Sequence, residues 1–170
     1  MCIRDRAEAA LRTGVGLCRL AVPKSVYPIL AAGLREAVFS PLDETADGTL
    51  SLAARGALMG LAQEADAVLL GCGWGRSMDL DWLCEELVRT CPRPMVLDAD
   101  ALNILADVEG KGINPTRRRI DILKQAKAPL ILTPHPGEMA RLTGSTVADV
   151  QKNRVECARR FAVEYGVTLV

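Results

Sequence analysis

His135, the only histidine of this 170-residue chain, lies in the turn Thr-Pro-His-Pro-Gly-Glu at 133–138. An apolar run precedes the turn and a helical pattern follows it. A histidine in this position can hydrogen-bond a ligand amide or phosphate, or act as an acid or base near neutral pH. Pro136 suits the first helical position, and Glu138 suits the first turn of the helix. The alternative is that His135 only shapes the turn.

A second turn, Gly71-Cys72-Gly73-Trp74-Gly75, follows the apolar run 67–70. Glycines at Gly71, Gly73 and Gly75 allow a ligand to approach the backbone closely, and they can turn amide N–H groups toward an anion. A helix predicted from Asp79 would add the positive end of its dipole. The spacing differs from the dinucleotide-binding pattern Gly-x-Gly-x-x-Gly, and a tight turn without a ligand is the alternative.

A third turn begins with Asp98 and Asp100, directly after the apolar run Met95–Leu97. If the chain remains extended, the two carboxylates lie on one side of the strand, where they could hold a metal, bind hydroxyl groups or place a base. The alternative is that one of them caps the helix predicted from Ala101.

The elements that must position these turns are short strands and amphipathic helices in alternation. Strands are predicted over 17–22, 36–40, 67–70, 95–97, 129–132 and 167–170. Helices are predicted over 7–13, 25–32, 52–65, 79–89, 101–106, 136–142 and from Ser145 or Thr146 to about Tyr165. Strands that are apolar on both faces indicate a parallel sheet covered on both sides, so we expect a three-layer α/β/α fold. In such sheets ligands bind at the carboxyl ends of the strands, where all three turns lie.

The segments between these elements are expected to be loops. Residues 43–49 are polar and contain a glycine, and 108–119 has no periodicity. We expect the basic run Arg117, Arg118 and Arg119 to be a solvated loop or the start of a helix.

Composition excludes several classes of function. The formal net charge is zero, which offers no electrostatic footprint for nucleic acid or an anionic membrane. No apolar stretch approaches the roughly 18 residues of a membrane span, and the amino terminus lacks the apolar core of a signal peptide. The six cysteines form no Cys-x-x-Cys pair and read as reduced structural thiols. We therefore expect a cytoplasmic protein. We expect no metal ion to be bound by its cysteines or its single histidine.

In their order and spacing the three turns resemble the ADP/ATP-dependent NAD(P)H-hydrate dehydratase family, which has a ribokinase-like fold. The segment 97–103, Leu-Asp-Ala-Asp-Ala-Leu-Asn, and the turn 132–139 match family motifs, and Gly71 to Gly75 resembles its Gly-Pro-Gly-Leu-Gly turn. The segment 10–17 resembles the family's early helix-to-strand element. Cys72 and Trp74 depart from the usual Pro and Leu of the glycine turn.

The resemblance implies a repair enzyme that restores hydrated NADH and NADPH. Such an enzyme phosphorylates the ring hydroxyl from ADP (or ATP), with Mg²⁺, and then expels phosphate, giving NAD(P)H, phosphate and AMP when ADP is the donor. It also implies a homo-oligomer, often a tetramer. The residues that it places at the hydrated dinucleotide are Gly71, Gly73, Gly75, Asp98, Asp100, Asn103, His135, Gly137 and Glu138.

The resemblance also predicts that the chain is a partial domain, incomplete at both ends. The family's nucleotide-binding segment and catalytic Asp are expected beyond Val170, and a glycine-rich substrate segment is expected before Ala7. We interpret residues 1–6 as a non-native leader and 7–170 as part of the dehydratase domain. The fragment alone is expected to be inactive.

Two other functions remain open from the sequence. One is a ribokinase-type kinase acting on hydroxyethylthiazole or a sugar. The other is a non-catalytic Rossmann-type dinucleotide-binding module, in which Asp98 would follow the glycine turn as the acidic ribose contact.

Overall fold

The computed structural model describes residues 3–107 and 119–170. Its strands are β1 (Arg19–Pro23), β2 (Val38–Leu42), β3 (Val68–Leu70), β4 (Met95–Leu97), β5 (Leu130–Leu132) and β6 (Thr168–Leu169). Its α-helices are α1 (Ile3–Arg12), α2 (Tyr27–Ala31), α3 (Arg55–Glu64), α4 (Met78–Thr90), α5 (Asp100–Ala106), α6 (Pro136–Thr143), α7 (Val147–Lys152) and α8 (Arg154–Tyr165). Two 3₁₀ segments, Leu52–Ala54 and Arg119–Gln125, complete the described elements.

The strands form two parallel sheets. β1 pairs with β2, and β3, β4, β5 and β6 form a second sheet in that order. In the larger sheet Leu70 lies beside Leu97, and Leu97 lies beside Leu132. Sequential parallel strands with helical connections give the α/β class that the sequence predicts.

The two faces of the larger sheet are covered unequally by the described residues. The face that carries Leu70, Leu97 and Leu132 is buried in the main hydrophobic core. On the opposite face Leu69 is 48% exposed, and Val96 and Ile131, which follow it across the register, are only partly buried. The helices of the main core pack against the buried face, and this packing holds the ends of the strands in place.

All six predicted strands are present within two residues of their predicted bounds. The single helix predicted up to Tyr165 is wrong in one respect. The backbone at Asn153 leaves helical conformation, with φ −139° and ψ 50°, and separates α7 from α8. Thr146 does cap α7, as predicted, because its side chain accepts a hydrogen bond from the Asp149 amide.

Arg119 is not the solvated residue that the sequence predicts. Its guanidinium lies 2.6 Å from the Asp81 carboxylate and 2.8 Å from that of Glu85, and only 17% of its side chain is exposed. Arg119 therefore fastens the second 3₁₀ segment to α4. Residues 108–118, including Arg117 and Arg118, lie outside the described ranges.

Candidate functional site at the strand ends

The three predicted turns meet at one edge of the larger sheet. Because Leu70, Leu97 and Leu132 are in register, the residues that follow them leave the sheet side by side. The Asp98 amide donates to the Leu70 carbonyl at 3.0 Å, and the Thr133 amide donates to the Leu97 carbonyl at 3.2 Å. Sheet hydrogen bonding thus extends one residue into the turns and holds them next to one another.

The glycine turn is built for close approach of the chain to itself. Gly71 has φ +107°, and a Cβ atom there would lie 2.0 Å from the Asp98 carbonyl oxygen and 2.6 Å from the Ala101 amide. Gly73 and Gly75 also have positive φ. Only glycine fits Gly71, because any side chain would collide with backbone that cannot move away.

The sequence suggests that the glycine turn directs amide N–H groups toward an anion. In the structure the Gly75 amide donates to a carboxylate of the chain itself, Asp100 Oδ2, at 2.8 Å. The amino terminus of α4 is likewise satisfied within the chain, since Ser77 Oγ accepts from the Leu80 amide at 3.2 Å. The glycine turn is therefore a rigid connection between the ends of β3 and β4.

Asp98 and Asp100 do not share one side of an extended strand. Ala99 between them has φ +51° and ψ −114°, which is rare for a residue with a side chain, and α5 begins at Asp100. Ala99 is the N-cap of α5 and makes no side-chain cap hydrogen bond, so neither aspartate caps the helix. The prediction of a paired carboxylate face is wrong because the chain turns at Ala99.

Asp98 has its own set of partners. Arg6 lies 3.1 Å from Asp98 Oδ2, and the Cys72 thiol donates to the same oxygen at 3.4 Å. Burial raises the pKa of the Cys72 thiol, with a smaller contribution from Asp98 and an opposing one from Arg6, so the sulfur keeps its proton near neutral pH. No sequence signal pointed to Arg6, which is contributed by the first helix from a distant part of the chain.

Asn103 ties two helices together rather than standing free. Its Oδ1 accepts from Arg141 at 2.6 Å, linking α5 to α6. The helix that carries Asp100 is thereby fixed against the helix that begins at the His135 turn.

His135 forms a capping box with Glu138. His135 Nδ1 accepts from the amides of Gly137 and Glu138, and Glu138 Oε2 accepts from the His135 amide at 2.9 Å. Since Nδ1 is an acceptor, the proton of the neutral ring is on Nε2, which lies 3.4 Å from Glu138 Oε1. The ring is 62% exposed, whereas the Glu138 side chain is 7% exposed. A Cβ atom at position 137 would lie 2.9 Å from the His135 ring, so a larger residue there would displace the ring from its capping position.

A hairpin at 43–51 is a part of this edge that the sequence predicts only as a loop. Glu44 and Leu50 form an antiparallel bridge, and Gly48 at the turn has φ +76°. Thr49 reaches the segment that follows the glycine turn, where its Oγ1 lies 3.4 Å from Ser77 Oγ. The signal that was available is Asp47-Gly48, a dipeptide typical of tight hairpin turns.

Cavities and metal-binding groups do not by themselves mark the site. A groove of about 550 Å³ between α6, α7 and α8 contains none of the predicted site residues. A smaller one of about 210 Å³ includes Pro134 and Pro136, which flank His135. Within 3–107 and 119–170 there is no group of three or more His, Cys, Asp or Glu side chains that could hold a metal ion. None of the helices in those ranges has the length and apolarity to cross a membrane.

This arrangement of strands and strand-end turns is that of a ribokinase-like α/β protein. A ribokinase-like superfamily protein from Enterococcus faecalis superposes with a TM-score of 0.71 at 17% identity, over 99% of this chain and 51% of that one. An ADP/ATP-dependent NAD(P)H-hydrate dehydratase from Bacillus subtilis superposes with a TM-score of 0.66 at 26% identity, over 96% and 51% of the two chains.

The sequence model of the NAD(P)H-hydrate dehydratase family matches residues 6–170, and the chain belongs to this family. It is 41% identical to the bifunctional NAD(P)H-hydrate repair enzyme Nnr of Moorella thermoacetica, over 96% of this chain and 29% of that protein. It is 36% identical to the ADP-dependent (S)-NAD(P)H-hydrate dehydratase of Neisseria meningitidis, over 96% and 48% of the two. The chain thus spans less than a third of the first relative and about half of the second.

Proposed function

We propose that this chain is the part of an ADP-dependent (S)-NAD(P)H-hydrate dehydratase that binds the hydrated dinucleotide. The observation that carries the proposal is the junction of three turns on neighbouring strands β3, β4 and β5, all within the residues 6–170 that the family model matches. Their residues converge on one edge, and the names of relatives supply the substrate and the donor.

In the proposed reaction a nucleotide phosphorylates the ring hydroxyl of NAD(P)H hydrate, because hydroxide is a poor leaving group. Phosphate then departs, giving NAD(P)H, and AMP when ADP is the donor. Catalysis of this kind depends mainly on positioning and electrostatics. The described residues supply the positioning: Gly75 holds Asp100, Arg141 holds Asn103, and the capping box leaves one face of His135 accessible.

The phosphoryl donor and Mg²⁺ are assigned to none of these residues. The described side chains include no group of three or more His, Cys, Asp or Glu that could hold a metal ion, and Asp98 and Asp100 each have a partner within the chain. We propose that the donor site and the catalytic aspartate belong to the further portion that the longer relatives have, and that residues 1–170 alone bind substrate without turning it over. We also propose that the parent protein is cytoplasmic and tetrameric. In the proposed domain assignment residues 1–6 are a leader and 7–170 are part of the dehydratase domain.

Tryptophan fluorescence offers a direct binding test. The chain has two tryptophans, Trp74 in the glycine turn and the exposed Trp82 on α4, so Trp82→Phe leaves Trp74 as the sole reporter. Titration of this variant with hydrated NADH should change its fluorescence, and unhydrated NADH should bind more weakly. Calorimetry on the unmodified chain checks that the change reports binding.

Asp98→Asn should weaken the affinity for hydrated NADH by about tenfold, the usual effect of losing one hydrogen bond to a charged group. The matched control is Asp121→Asn, because Asp121 is exposed and pairs with Lys124 outside the site. Absence of binding by the unmodified chain, or binding of hydroxyethylthiazole or a sugar instead, would refute the proposed substrate. Formation of NADH from the hydrate with ADP and Mg²⁺ would refute the proposal that 1–170 alone is inactive.

A further inference from the structure

The hairpin 43–51 is a well-anchored element. The Thr45 amide donates to the Thr49 carbonyl at 2.8 Å, and the Ser51 amide donates to the Asp43 carbonyl at 3.0 Å. Leu42 and Leu50, at its two ends, are buried in the main core. The tip of the hairpin is therefore carried on a fixed base.

A second set of contacts fixes the side of the hairpin that faces β1. Lys24 forms an ion pair with Asp43. Glu44 Oε2 accepts from the amide of Ser25 at 3.1 Å and from its hydroxyl at 2.7 Å. These contacts connect the smaller sheet to the hairpin.

Thr49 connects the hairpin to the glycine turn and to α4. Its hydroxyl lies 3.0 Å from Thr45 Oγ1 and 3.4 Å from Ser77 Oγ, which caps α4. Its methyl group would lie 3.5 Å from a Cβ atom placed on Gly75. Three residues after Thr49, the Leu52 amide donates to Asp79 Oδ2 at 2.9 Å. Residues 49–52 thus contact Ser77 and Asp79 at the start of α4.

We propose that Thr49 is a positioning residue for the glycine turn of the proposed dinucleotide site. Its hydroxyl, held by Thr45, fixes Ser77, which follows Gly75 by two residues in the chain. The Gly75 amide in turn holds Asp100 at 2.8 Å. A side chain of the hairpin therefore sets the orientation of a carboxylate on α5 without touching it. The effect on ligand affinity rests on the proposed function, whereas the effect on the glycine turn does not.

Two substitutions separate the hydroxyl from the shape of the side chain. Thr49→Val keeps the branched shape of the side chain but removes the bonds to Thr45 and Ser77. Thr49→Ser keeps the hydroxyl and removes the methyl group. Since the hydroxyl is the group that is held on both sides, Thr49→Ser should behave like the unmodified chain and Thr49→Val should not.

The first readout is the Gly75 amide, followed by NMR and by hydrogen exchange on the 170-residue chain. Thr49→Val should shift the Gly75 resonance and accelerate its exchange by about fivefold, the typical net effect of one hydrogen bond. The matched control is Thr90→Val at the other end of α4, where the Thr90 hydroxyl bonds to Glu86 and Met59, which are remote from the turn. Thr45→Val, which removes the partner of Thr49 and leaves Thr49 in place, should give the same shift in a smaller degree.

The second readout is the affinity for hydrated NADH, which Thr49→Val should lower by about fivefold for the same reason. An unchanged Gly75 amide in Thr49→Val, or an equal change in Thr90→Val or Thr49→Ser, would overturn the positioning role. If the unmodified chain binds no hydrated NADH, the proposed function fails, and the Gly75 readout still decides whether Thr49 positions the turn.

Discussion

Gly71→Ala tests the close approach on which the strand-end edge depends. An added Cβ would lie 2.0 Å from the Asp98 carbonyl oxygen and 2.6 Å from both the amide and the Cβ of Ala101. The positive φ of +107° adds a conformational cost of roughly 1–2 kcal/mol for a residue with a side chain. Overpacking against backbone adds about 1–3 kcal/mol more. We expect a total loss of about 2–5 kcal/mol of the free energy of unfolding, a large part of the roughly 5–15 kcal/mol typical of a domain.

The matched control is Gly14→Ala. Gly14 also has a positive φ, +93°, but no atom lies within 4 Å of an added Cβ. The free energy of unfolding lost in Gly14→Ala should therefore be limited to the conformational cost of roughly 1–2 kcal/mol. Urea unfolding followed by circular dichroism measures the stability of both variants. The free energy of unfolding falls by about 1–3 kcal/mol per molar urea, so the difference in stability between the variants gives a clear difference in their urea midpoints. Equal losses in the two variants would show that the close contact of Gly71 with Asp98 and Ala101 does not exist in solution.

Three further predictions concern single side chains. His135→Ala should cost about 1 kcal/mol of stability by urea unfolding because the cap of α6 is lost, whereas His135→Asn should retain most of it; equal losses would contradict the capping role. Arg119→Met should cost roughly 2–4 kcal/mol in the same assay because it leaves the carboxylates of Asp81 and Glu85 half-buried without their cation, and a loss near zero would contradict that pairing. Burial raises the pKa of Cys84 to about 12, so iodoacetamide at mildly alkaline pH should label this thiol only after unfolding, and mass spectrometry of labelled peptides decides. Because the unfolded thiol ionises first, stability should fall as pH rises from 9 toward 12.

Periodicity was sufficient to predict the sheet. Runs such as Met95–Leu97 are apolar at every position, which is typical of strands in a parallel sheet, and they were located almost to the residue. The strand ends could be predicted for the same reason, since each apolar run stops at a glycine or a polar residue. The break between α7 and α8 could not, because Asn153 lies within a continuous helical pattern and departs from it in backbone angles only.

The contacts of the candidate site were less accessible to sequence reasoning. Alternation on a strand predicted that Asp98 and Asp100 would share one face, but this requires an extended Ala99, and alanine carries no signal for the φ of +51° that it adopts. The ion pair between Arg6 and Asp98 joins residues separated by 92 positions, a distance at which local pattern holds no information. Thr49 was missed because it lies in a polar segment, where composition predicts exposure and not contact.

The uneven covering of the larger sheet has a consequence for the behaviour of the chain in concentrated solution. Leu69, Val96 and Ile131 form a row that offers short-range attraction between molecules, and the formal net charge of zero provides no long-range repulsion to oppose it. Colloidal stability should therefore be lowest near the isoelectric point of about 6.6 and should improve on either side of it. A charged residue in place of Leu69, in the middle of edge strand β3, should raise the concentration at which the chain begins to self-associate, and light scattering across a dilution series would register the change.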